Sequence, residues 1–394
     1  MSRKLRIGLF QDAFYPVVDG VVEVVDHYAR ELSDVAEMIV FVPRSPGKPF
    51  DDSTLPYRVV RCGSLPVPVL DYDLPAPDFD VTFLRELEKT DLDLVHIHSP
   101  FTLGKLGVRY AKKHHIPAIA TFHTQFRRDF ERALKNYDIS VALARGVISP
   151  YRQCQECWAV NSAMEKLLHL EYAYKGTSRV MRNATDMQPV ADIDMARQMV
   201  EKRFGIRPEE KVFLYVGRLN QLKNVFMIAD AIKIMKEKAD FPFCMVFAGD
   251  GQDEKKLHER VYKHGIEREV LFTGKINDRE LLAALYARAE LFLFPSLYDA
   301  SSLVQVEAAS QGTPGIFVRG AATADTVEDH VNAFLIDNDE HSLAEKALSV
   351  IHDPSLLKTV SENARRDLYL KWPDVTKEAY GHYLRVIEEY KTGM

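Results

Sequence analysis

Two carboxylates occupy one short segment of the sequence, FPSLYDASSLVQVEAASQGTP at 294–314. Asp299 follows an apolar run, LFLFP, that ends at a proline as a buried strand does, and seven residues separate it from Glu307. Glu307 lies in LVQVEAASQ, which has the apolar spacing of a helix and is followed by Gly312. Open α/β sheets bind their ligands where strands end. The segment therefore predicts a polar ligand site at a strand-to-helix turn.

Two cations lie upstream of this segment. Arg218 stands at the end of the apolar strand KVFLYVG, and Lys223 follows five residues later at the start of a helical segment. Arginine can hold phosphate oxygens in a fork, lysine adds a point charge, and a helix N-terminus adds a partial positive charge. The pair suits a diphosphate, although an isolated arginine and lysine can also be a solvent-exposed pair. Glycines at two further strand ends, in FAGDG and FTGKI, favour the diphosphate because they let the backbone approach a flat ligand closely.

The elements that must position these residues alternate between strand and helix along the whole chain. Strands are predicted from apolar runs in both halves, among them KLRIGLF, LDLVHIH, IPAIATFH, ECWAVN, KVFLYVG, FCMVFAGDG, VLFTGKI, LFLFPS and TPGIFV. The alternation predicts an α/β fold with two Rossmann-like, doubly wound parallel-sheet domains that face a central cleft. The pattern changes around SRVMRNATDMQPV. We expect an N-terminal domain at 1–185, a C-terminal domain at 186–371 and a terminal helix at 372–394.

The composition is that of an ordinary globular protein of 394 residues with a formal net charge of −6. Nucleic acid is excluded as the main partner because binding to its phosphate backbone needs a basic surface. One segment, 101–150, is basic, with nine Lys and Arg against three Asp and Glu. The chain passes from a basic tail straight into a strand, and no apolar run reaches the length of a membrane span. We expect a cytoplasmic protein that touches membranes only at the surface.

Two short motifs raise the question of a bound metal. Cys154 and Cys157 form a CxxC, but no second pair of ligands at a matching spacing is evident, so buried thiols at a strand edge are the favoured interpretation. Asp71, Tyr72 and Asp73 form a DxD string inside a proline-rich stretch, where acidic residues are ordinary loop residues. We therefore expect no metal and no other cofactor.

Taken in order, the motifs resemble those of the retaining glycosyltransferases of family 4, which have the GT-B fold. The resemblance covers nearly the whole chain, through QDAFYPVVDGVVEVV, HIHSPFTLGKLG, ATFHT, VMRNATD, VGRLNQLKN, FAGDG, FTGKI and the segment at 294–314. It implies a metal-independent hexosyltransferase that uses a nucleotide sugar, with UDP favoured over GDP. It also implies that the helix at 372–394 returns to the N-terminal domain, whereas the sequence alone allows it to pack on the C-terminal one.

The resemblance assigns donor-binding residues in the C-terminal domain. Glu307 would bind the nucleotide ribose, and Asp299 would contact the donor sugar as a catalytic-site residue. Arg218 and Lys223 would bind the diphosphate. Backbone amides at a helix start would assist, and a strand end would border the base; these residues are Ser302, Leu303 and Val304 for the amides, and Gly274, Lys275 and Ile276 for the base.

The resemblance also places residues of the N-terminal domain in the site. Gly20, in VDGV, would open a helix whose amides face the donor phosphates. His123, in TFHT at a strand end, would reach the sugar and is the second catalytic candidate, although a lone histidine at a strand end is more often structural. His98, in HIHS, is a candidate cleft residue.

Family members of this kind transfer the sugar with retention, and a leaving phosphate oxygen takes the acceptor's proton while fixed cations and amides neutralise the diphosphate. A retaining hydrolase needs two carboxylates about 5 Å apart across one bond, so Asp299 and Glu307 are better interpreted as hydroxyl ligands. Asp299 replaces the usual Glu, and the glycines that usually follow are missing. The alternative is therefore a nucleotide-sugar-binding partner subunit without transferase activity. A sugar-nucleotide epimerase is disfavoured because it needs an acid and a base at the sugar carbon.

The resemblance implies that the acceptor binds mainly to the N-terminal domain. A lipid acceptor is favoured because HIHSPFTLGKLG and TFHTQF are similar to segments of bacterial diacylglycerol glycosyltransferases, and a glycan or a small soluble acceptor is the alternative. The next segment, TQFRRDFERALKN, places Phe126, Phe130 and Leu134 on one helical face with basic flanks. A core-facing helix with a solvated flank is the favoured interpretation. The alternative is an interfacial helix that contacts anionic lipid at the inner membrane face.

Overall fold

The computed structural model describes residues 3–44, 50–65 and 74–393, and the DxD string at 71–73 lies outside them. The chain divides into two compact units. The first unit ends at Asn183 and also contains the segment that begins at Trp372, whereas the second unit is continuous from Ala184 to Lys371. The division therefore falls two residues before the expected one.

The first unit is built on a seven-stranded parallel sheet with the order β3-β2-β1-β6-β7-β8-β9. Its strands are β1 Arg6–Phe10, β2 Glu37–Pro43, β3 Arg58–Cys62, β6 Leu94–Ile97, β7 Ala118–Phe122, β8 Glu156–Ala159 and β9 Thr177–Val180, and a separate antiparallel pair consists of β4 Ser64–Leu65 and β5 Leu74–Pro75. Six of the seven residues of β2 are buried. Such continuous burial is typical of a parallel sheet that is covered on both faces.

Helices connect these strands. Within the described residues of the unit they are α1 Gly20–Leu32, α2 Val81–Glu88, α3 Thr102–Lys113, α4 Phe126–Leu134, α5 Tyr137–Val147, α6 Ser162–Leu170 and α14 Trp372–Thr392. Polar residues that precede several helices cap them; Asn161, for example, accepts a hydrogen bond from the amide of Met164. Such caps satisfy amides that have no partner inside the helix.

Helix α14 belongs to the first unit and packs against α1. The Tyr383 hydroxyl lies 2.7 Å from Nδ1 of His96, a fully buried residue of β6. Arg385 forms an ion pair with the buried carboxylate of Glu156 in β8. At the start of the helix, the indole of Trp372 is 1 % exposed. The last helix is thus part of the core of the first unit.

The second unit contains a six-stranded parallel sheet with the order β12-β11-β10-β13-β14-β15. The strands are β10 Lys211–Val216, β11 Phe243–Ala248, β12 Val270–Gly274, β13 Leu291–Leu293, β14 Gly315–Val318 and β15 Phe334–Ile336. All six residues of β11 are buried. The sequence predicted five of these strands from their apolar runs, and it missed β15, which has three residues.

The helices of the second unit cover this sheet. Among its residues they are α7 Ile193–Phe204, α8 Val225–Lys238, α9 Glu254–His264, α10 Arg279–Arg288, α11 Leu303–Gln311, α12 Glu340–Ile351 and α13 Pro354–Asp367. Helices α7, α9 and α11 each end at a glycine in the left-handed conformation, which is a common way to stop a helix. The segments by which the chain enters and leaves this unit run side by side, because the Thr185 amide donates to the Leu370 carbonyl at 3.0 Å.

Candidate active site

The direction of the strand order reverses between β10 and β13 in the second unit. Strands β10, β11 and β12 are added on one side, and β13, β14 and β15 on the other. Ligands of doubly wound sheets bind outside the carboxyl ends of the strands at such a reversal. Arg218 and Lys223 follow β10, and Asp299 follows β13. The fold therefore brings the predicted cations and the first predicted carboxylate to one edge.

Lys223 and Asp299 form an ion pair, and their side chains are only 14 % and 16 % exposed. The Ser296 hydroxyl supports the turn that presents Asp299, because it accepts hydrogen bonds from the amides of Tyr298 and Asp299 at 3.3 and 3.4 Å. The ammonium group of Lys223 also lies 5.9 Å from the centre of the Tyr298 ring. A predicted diphosphate ligand and a predicted sugar ligand are thus in direct contact.

The loop after β10 is packed tightly against the loop after β11. Gly249 has φ +149°, and a Cβ atom there would lie 2.0 Å from the carbonyl oxygen of Gly217. The Leu219 amide donates to the Asp250 carbonyl at 2.7 Å. Arg218 is exposed, and its carbonyl oxygen accepts a hydrogen bond from Tyr215 at 2.9 Å. The glycine at 249 is therefore required by backbone packing within the protein.

Glu307 has a different set of partners. Its side chain lies on α11, the residue is 7 % exposed, and Oε1 accepts a hydrogen bond from Arg279 Nη1 at 2.7 Å. Oε2 accepts from the buried hydroxyl of Tyr286 at 3.2 Å. The other nitrogen of the Arg279 fork pairs with Asp186. The two carboxylates of the segment at 294–314 are therefore held by different cations, Asp299 by Lys223 and Glu307 by Arg279.

The start of α11 supplies the predicted backbone amides. Ser302 is the residue before the helix and is buried, yet its side chain makes no capping hydrogen bond to the helix. No acidic residue lies in the first turn, which contains Leu303 and Val304. The positive end of the helix is thus not neutralised by its own cap or first turn, as a site for an anion requires.

The predicted base-binding residues lie at the end of β12. Gly274 has φ +68°, and its carbonyl accepts a hydrogen bond from the Gly249 amide at 2.9 Å. Lys275 is exposed, and Ile276 is partly buried against the core of the unit. This strand end therefore adjoins the loop after β11 at the same edge of the sheet.

The order of the first sheet reverses between β1 and β6. Asp12, two residues after β1, accepts a hydrogen bond from Ser99 and another from the Leu103 amide at 2.9 Å, at the start of α3. Burial raises the pKa of the Asp12 carboxyl, whereas its hydrogen bonds lower it. Asp12 is a residue that the sequence did not single out. Its contacts tie the end of β1 to the loop after β6.

His98 and His123 follow neighbouring strands β6 and β7. Nδ1 of His98 lies 3.1 Å from Nε2 of His123, and the two rings are stacked with their centres 5.3 Å apart. Burial lowers the pKa of His123 to about 3 and that of His98 well below its ordinary value. His96 lies beside them, with 4.1 Å between the centres of the His96 and His98 rings. Burial also lowers the pKa of His96, so all three imidazoles are neutral near pH 7 and His123 carries no positive charge there.

Gly20 begins α1, as the sequence predicted. A Cβ atom at this position would meet nothing within 4 Å. However, Oδ1 of Asp19 already accepts hydrogen bonds from the amides of Val21 and Val22, at 2.8 and 2.9 Å. In this structure the first-turn amides that were expected to face donor phosphates are thus occupied by a side-chain carboxylate. The reason is that Asp19 is itself a good helix cap.

Comparison with known proteins decides the family. Residues 18–188 match the family model described as Glycosyltransferase Family 4, and residues 197–367 match the one described as Glycosyl transferases group 1. The chain belongs to the glycosyltransferases. The predicted membership of the family 4 glycosyltransferases is confirmed, and so is the expectation of an enzyme of the hexosyltransferase type.

Relatives of this glycosyltransferase cover almost its full length. Alpha-monoglucosyldiacylglycerol synthase from Acholeplasma laidlawii is 26 % identical over 91 % of this chain and 92 % of its own. GDP-mannose-dependent alpha-mannosyltransferase from Mycolicibacterium smegmatis is 26 % identical over 97 % of this chain and 98 % of its own. The solved structure of Anabaena Alr3699/HepE in complex with UDP and glucose has a TM-score of 0.75 and 16 % identity, over 96 % of this chain and 99 % of that one. This likeness confirms the GT-B fold.

The sequence did not single out two partners of Glu307 in the glycosyltransferase, Arg279 and Tyr286. Arg279 follows Asp278, whose side chain caps α10 by accepting from the amides of the next turn. That capping position was the available signal, because it predicts a helix that starts just after β12 and so places Arg279 at the ligand-binding edge. Tyr286 gives no such signal, since a tyrosine inside an apolar helix usually belongs to the core.

The residues that the structure describes contain neither a group of metal ligands nor a membrane-spanning helix. Among them, no three His, Cys, Asp or Glu side chains form a group that could hold a metal ion. Cys157 of the CxxC motif is buried in β8, and burial raises the pKa of the Cys154 thiol and that of the Cys157 thiol. No helix in these residues has the length and apolar character needed to cross a bilayer.

Proposed function

We propose that this glycosyltransferase moves a hexose from a UDP-sugar to a lipid acceptor of the diacylglycerol type, with retention and without a metal. The observation that carries the proposal is the arrangement at the edge of the second sheet. Lys223 and Asp299 are in contact there, and Glu307 and the start of α11 belong to the same unit. A cation and uncapped amides suit a diphosphate, and carboxylates suit the hydroxyls of ribose and sugar.

The names of the two relatives support the choice of reaction. Both describe alpha products, and the sugar nucleotides of glucose and mannose are themselves α-linked, so an α product corresponds to retention. The name of the Acholeplasma enzyme contains diacylglycerol, which supports a lipid acceptor. In the proposed reaction the acceptor hydroxyl bonds to the anomeric carbon, the bond to the diphosphate breaks, and a diphosphate oxygen takes the hydroxyl proton. Lys223 and Arg218 neutralise the charge that develops on the leaving group.

Charge neutralisation by the protein also supports a reaction without a cofactor. The leaving diphosphate needs two or more positive partners, and this edge offers Arg218, Lys223 and the first amides of α11. The reaction that we propose therefore requires no metal ion. Transfer in the presence of excess EDTA is expected to match transfer in its absence, and a loss that Mg²⁺ restores would contradict this part of the proposal.

We propose that the surface formed by helices α4 and α5 contacts the inner, cytoplasmic face of the membrane. Only Phe126 of the predicted apolar face is buried, whereas Leu134 is 47 % exposed. The next helix adds Tyr137, Ile139 and Leu143, which are 54, 51 and 44 % exposed. The favoured expectation of a core-facing helix therefore holds for Phe126, holds partly for Phe130, and is wrong for Leu134. Exposed apolar side chains within a basic segment suit an anionic lipid surface.

The test uses the purified chain with vesicles that contain diacylglycerol, made either of phosphatidylglycerol or of phosphatidylcholine. UDP-glucose, other UDP-sugars and GDP-mannose are offered in turn, and thermal stability and nucleotide release are measured. We expect stabilisation by UDP-sugars, and release of UDP that is faster on the anionic vesicles. Stabilisation without release, across lipid and sugar acceptors, would instead support a binding protein without transferase activity. A response to GDP-sugars alone would contradict the proposed donor.

The membrane surface needs its own variants. The double variant Leu134→Asp and Ile139→Asp should bind phosphatidylglycerol vesicles at least tenfold more weakly, because two apolar contacts are replaced by charges that anionic lipid repels. Val81→Asp is the matched control, since Val81 is 58 % exposed at the start of α2, a different helix of the same unit. Equal binding by the double variant and the control would place the membrane contact elsewhere.

A further inference from the structure

The fork of Arg279 reaches two carboxylates at once, Glu307 on α11 and Asp186 near the start of the second unit. We propose that Arg279 is a positioning residue, which holds Glu307 in the orientation that accepts the ribose hydroxyls of the nucleotide, and that Asp186 holds Arg279 in turn. The inference rests on the proposed function, because it assumes that a nucleotide binds at this edge. It adds a residue that neither the motifs nor the comparisons assign.

The geometry leaves Glu307 able to accept more hydrogen bonds. Each carboxylate oxygen has two acceptor positions. Oε1 uses one for Arg279, and Oε2 uses one for Tyr286. One position therefore remains on each oxygen, and the two neighbouring hydroxyls of a ribose ring present two donors at a matching separation. Arg279 and Tyr286 thus hold one oxygen each, and each oxygen keeps a second acceptor position for the ligand.

Electrostatics explains why an arginine is needed. Glu307 is 7 % exposed, and a carboxylate that shielded is costly unless a cation compensates it. Burial lowers the pKa of Arg279, but Glu307 and Asp186 raise it further, so the guanidinium stays charged. Without this cation the buried carboxylate of Glu307 would lose its compensating charge, and its side chain would turn toward water. That change removes an acceptor from the position that ribose needs.

The location of Arg279 indicates that helix stability is not its purpose. It is the first residue of α10, where the helix dipole repels a cation. The cap is supplied by Asp278, which accepts from the amides of Glu280 and Leu281. The charge of Arg279 must therefore be stabilised by other groups, and the carboxylates of Glu307 and Asp186 supply this stabilisation. The side chain of Glu307 is only 9 % exposed at the ligand-binding edge, whereas the side chain of Asp186 is 51 % exposed.

The experiment compares UDP with 2′,3′-dideoxy-UDP by titration calorimetry, so that the ribose hydroxyls are removed without changing the base or the diphosphate. The wild-type chain should prefer UDP at least tenfold, since hydrogen bonds to a charged group are among the strong ones. Arg279→Met should lose about tenfold in affinity for UDP and almost nothing for the dideoxy analogue. Arg279→Lys should recover part of the preference, because it keeps the charge but loses the fork.

Arg260→Met is the matched control. Arg260 lies in the same unit and forms a comparable ion pair with Asp230, far along the sequence from Glu307. It should keep the wild-type preference for UDP over the analogue. Asp186→Asn serves as a second probe if Arg279→Met does not fold, and it should reduce the preference by a smaller factor. The same pair of ligands in the guanine series is used if GDP binds instead of UDP.

The outcomes separate the inference from the function on which it rests. A wild-type chain that binds neither nucleotide overturns the proposed function, and the inference with it. Binding with no preference for the ribose hydroxyls overturns the inference alone. An Arg279→Met chain that keeps the wild-type preference also overturns it, because Glu307 would then be oriented without its arginine. Loss of the preference in Arg279→Met, with retention in the control, supports it.

Discussion

The three neutral histidines of the first unit predict a specific loss of stability in mild acid. The pKa of His123 is lowered by burial to about 3 in the folded chain, against about 6.5 in an unfolded one. The unfolded chain therefore binds the proton more readily. The contribution of His123 to the free energy of unfolding is therefore fully present above pH 6.5, and it is lost as the pH falls from 6.5 toward 3.

The magnitude follows from the two pKa values. At pH 5 an unfolded imidazole with a pKa near 6.5 is almost fully protonated, whereas His123 is not. The linkage relation then gives about 2 kcal/mol less free energy of unfolding at pH 5 than at pH 7 from this residue alone. His96 and His98 act in the same direction, because burial also lowers their pKa values. The wild-type chain should therefore lose more than this amount.

Tryptophan fluorescence is a selective assay for the first unit. The chain has two tryptophans, and both Trp158 and Trp372 are buried there. The Trp158 ring lies 4.9 Å from His96 between centres. Urea unfolding followed by this signal at pH 7 and pH 5 gives the two free energies.

The comparison of variants carries the test. His123→Gln should show a pH-dependent loss about 2 kcal/mol smaller than that of the wild type, because the variant has no proton to gain at this position. The matched control is His115→Gln, since His115 is exposed in the same unit. A pH dependence in His123→Gln equal to that of the control would refute the assignment of a neutral imidazole to His123.

Two further predictions concern the second unit. Lys223→Ala should weaken UDP binding by a factor of about 10 to 100, because a charge-assisted hydrogen bond to the diphosphate is lost and Asp299 is left without its cation; calorimetry measures it. Gly249→Ala should lower the free energy of unfolding by about 3 kcal/mol, since the new Cβ would lie 2.0 Å from a carbonyl oxygen in a backbone conformation unfavourable for alanine; urea unfolding followed by circular dichroism measures it.

Each of these variants has a control in the same unit. Lys233→Ala removes an exposed lysine from α8 and should leave UDP binding unchanged. If both lysine variants weaken UDP binding equally, Lys223 acts only through the net charge of the protein and not through contact with the diphosphate. Gly265→Ala introduces a Cβ at φ +64° with no atom within 4 Å. It should cost only about 1 kcal/mol. If Gly249→Ala costs no more than Gly265→Ala, the close packing after β10 and β11 is not a constraint on stability.

The fold was largely predictable because parallel strands are buried on both faces and so appear in the sequence as continuous apolar runs. FCMVFA and KVFLYV are such runs, and both are strands. Strand β15 was missed because FLI is followed directly by Asp337, whereas β13, which is equally short, lies in the longer apolar run LFLFP. Phe126, Phe130 and Leu134 show the limit of periodicity: their spacing predicts one apolar face, but only the rest of the fold decides how much of that face is covered.

The site was predictable where a residue type has a local signature. Arg218, Lys223 and Asp299 each follow a strand end, and the strand order brings them to one edge. Arg279 could not be connected with Glu307 in the same way, because a contact between residues 28 positions apart on two helices depends on how α10 and α11 pack. The capping role of Asp19 is local and visible in the sequence, but only the structure shows that its carboxylate occupies the amides of Val21 and Val22.

The discontinuity of the first unit has a consequence for the order of events during synthesis. The second unit is continuous from Ala184 to Lys371 and can fold as soon as it has emerged from the ribosome. The first unit is made earlier, yet it lacks α14 until about 190 further residues have been added. Until then Glu156 lacks Arg385 and His96 lacks Tyr383. The half of the chain that is translated first should therefore be the last to reach its final structure, and a nascent chain stalled before Trp372 should leave it open to chaperones and proteases.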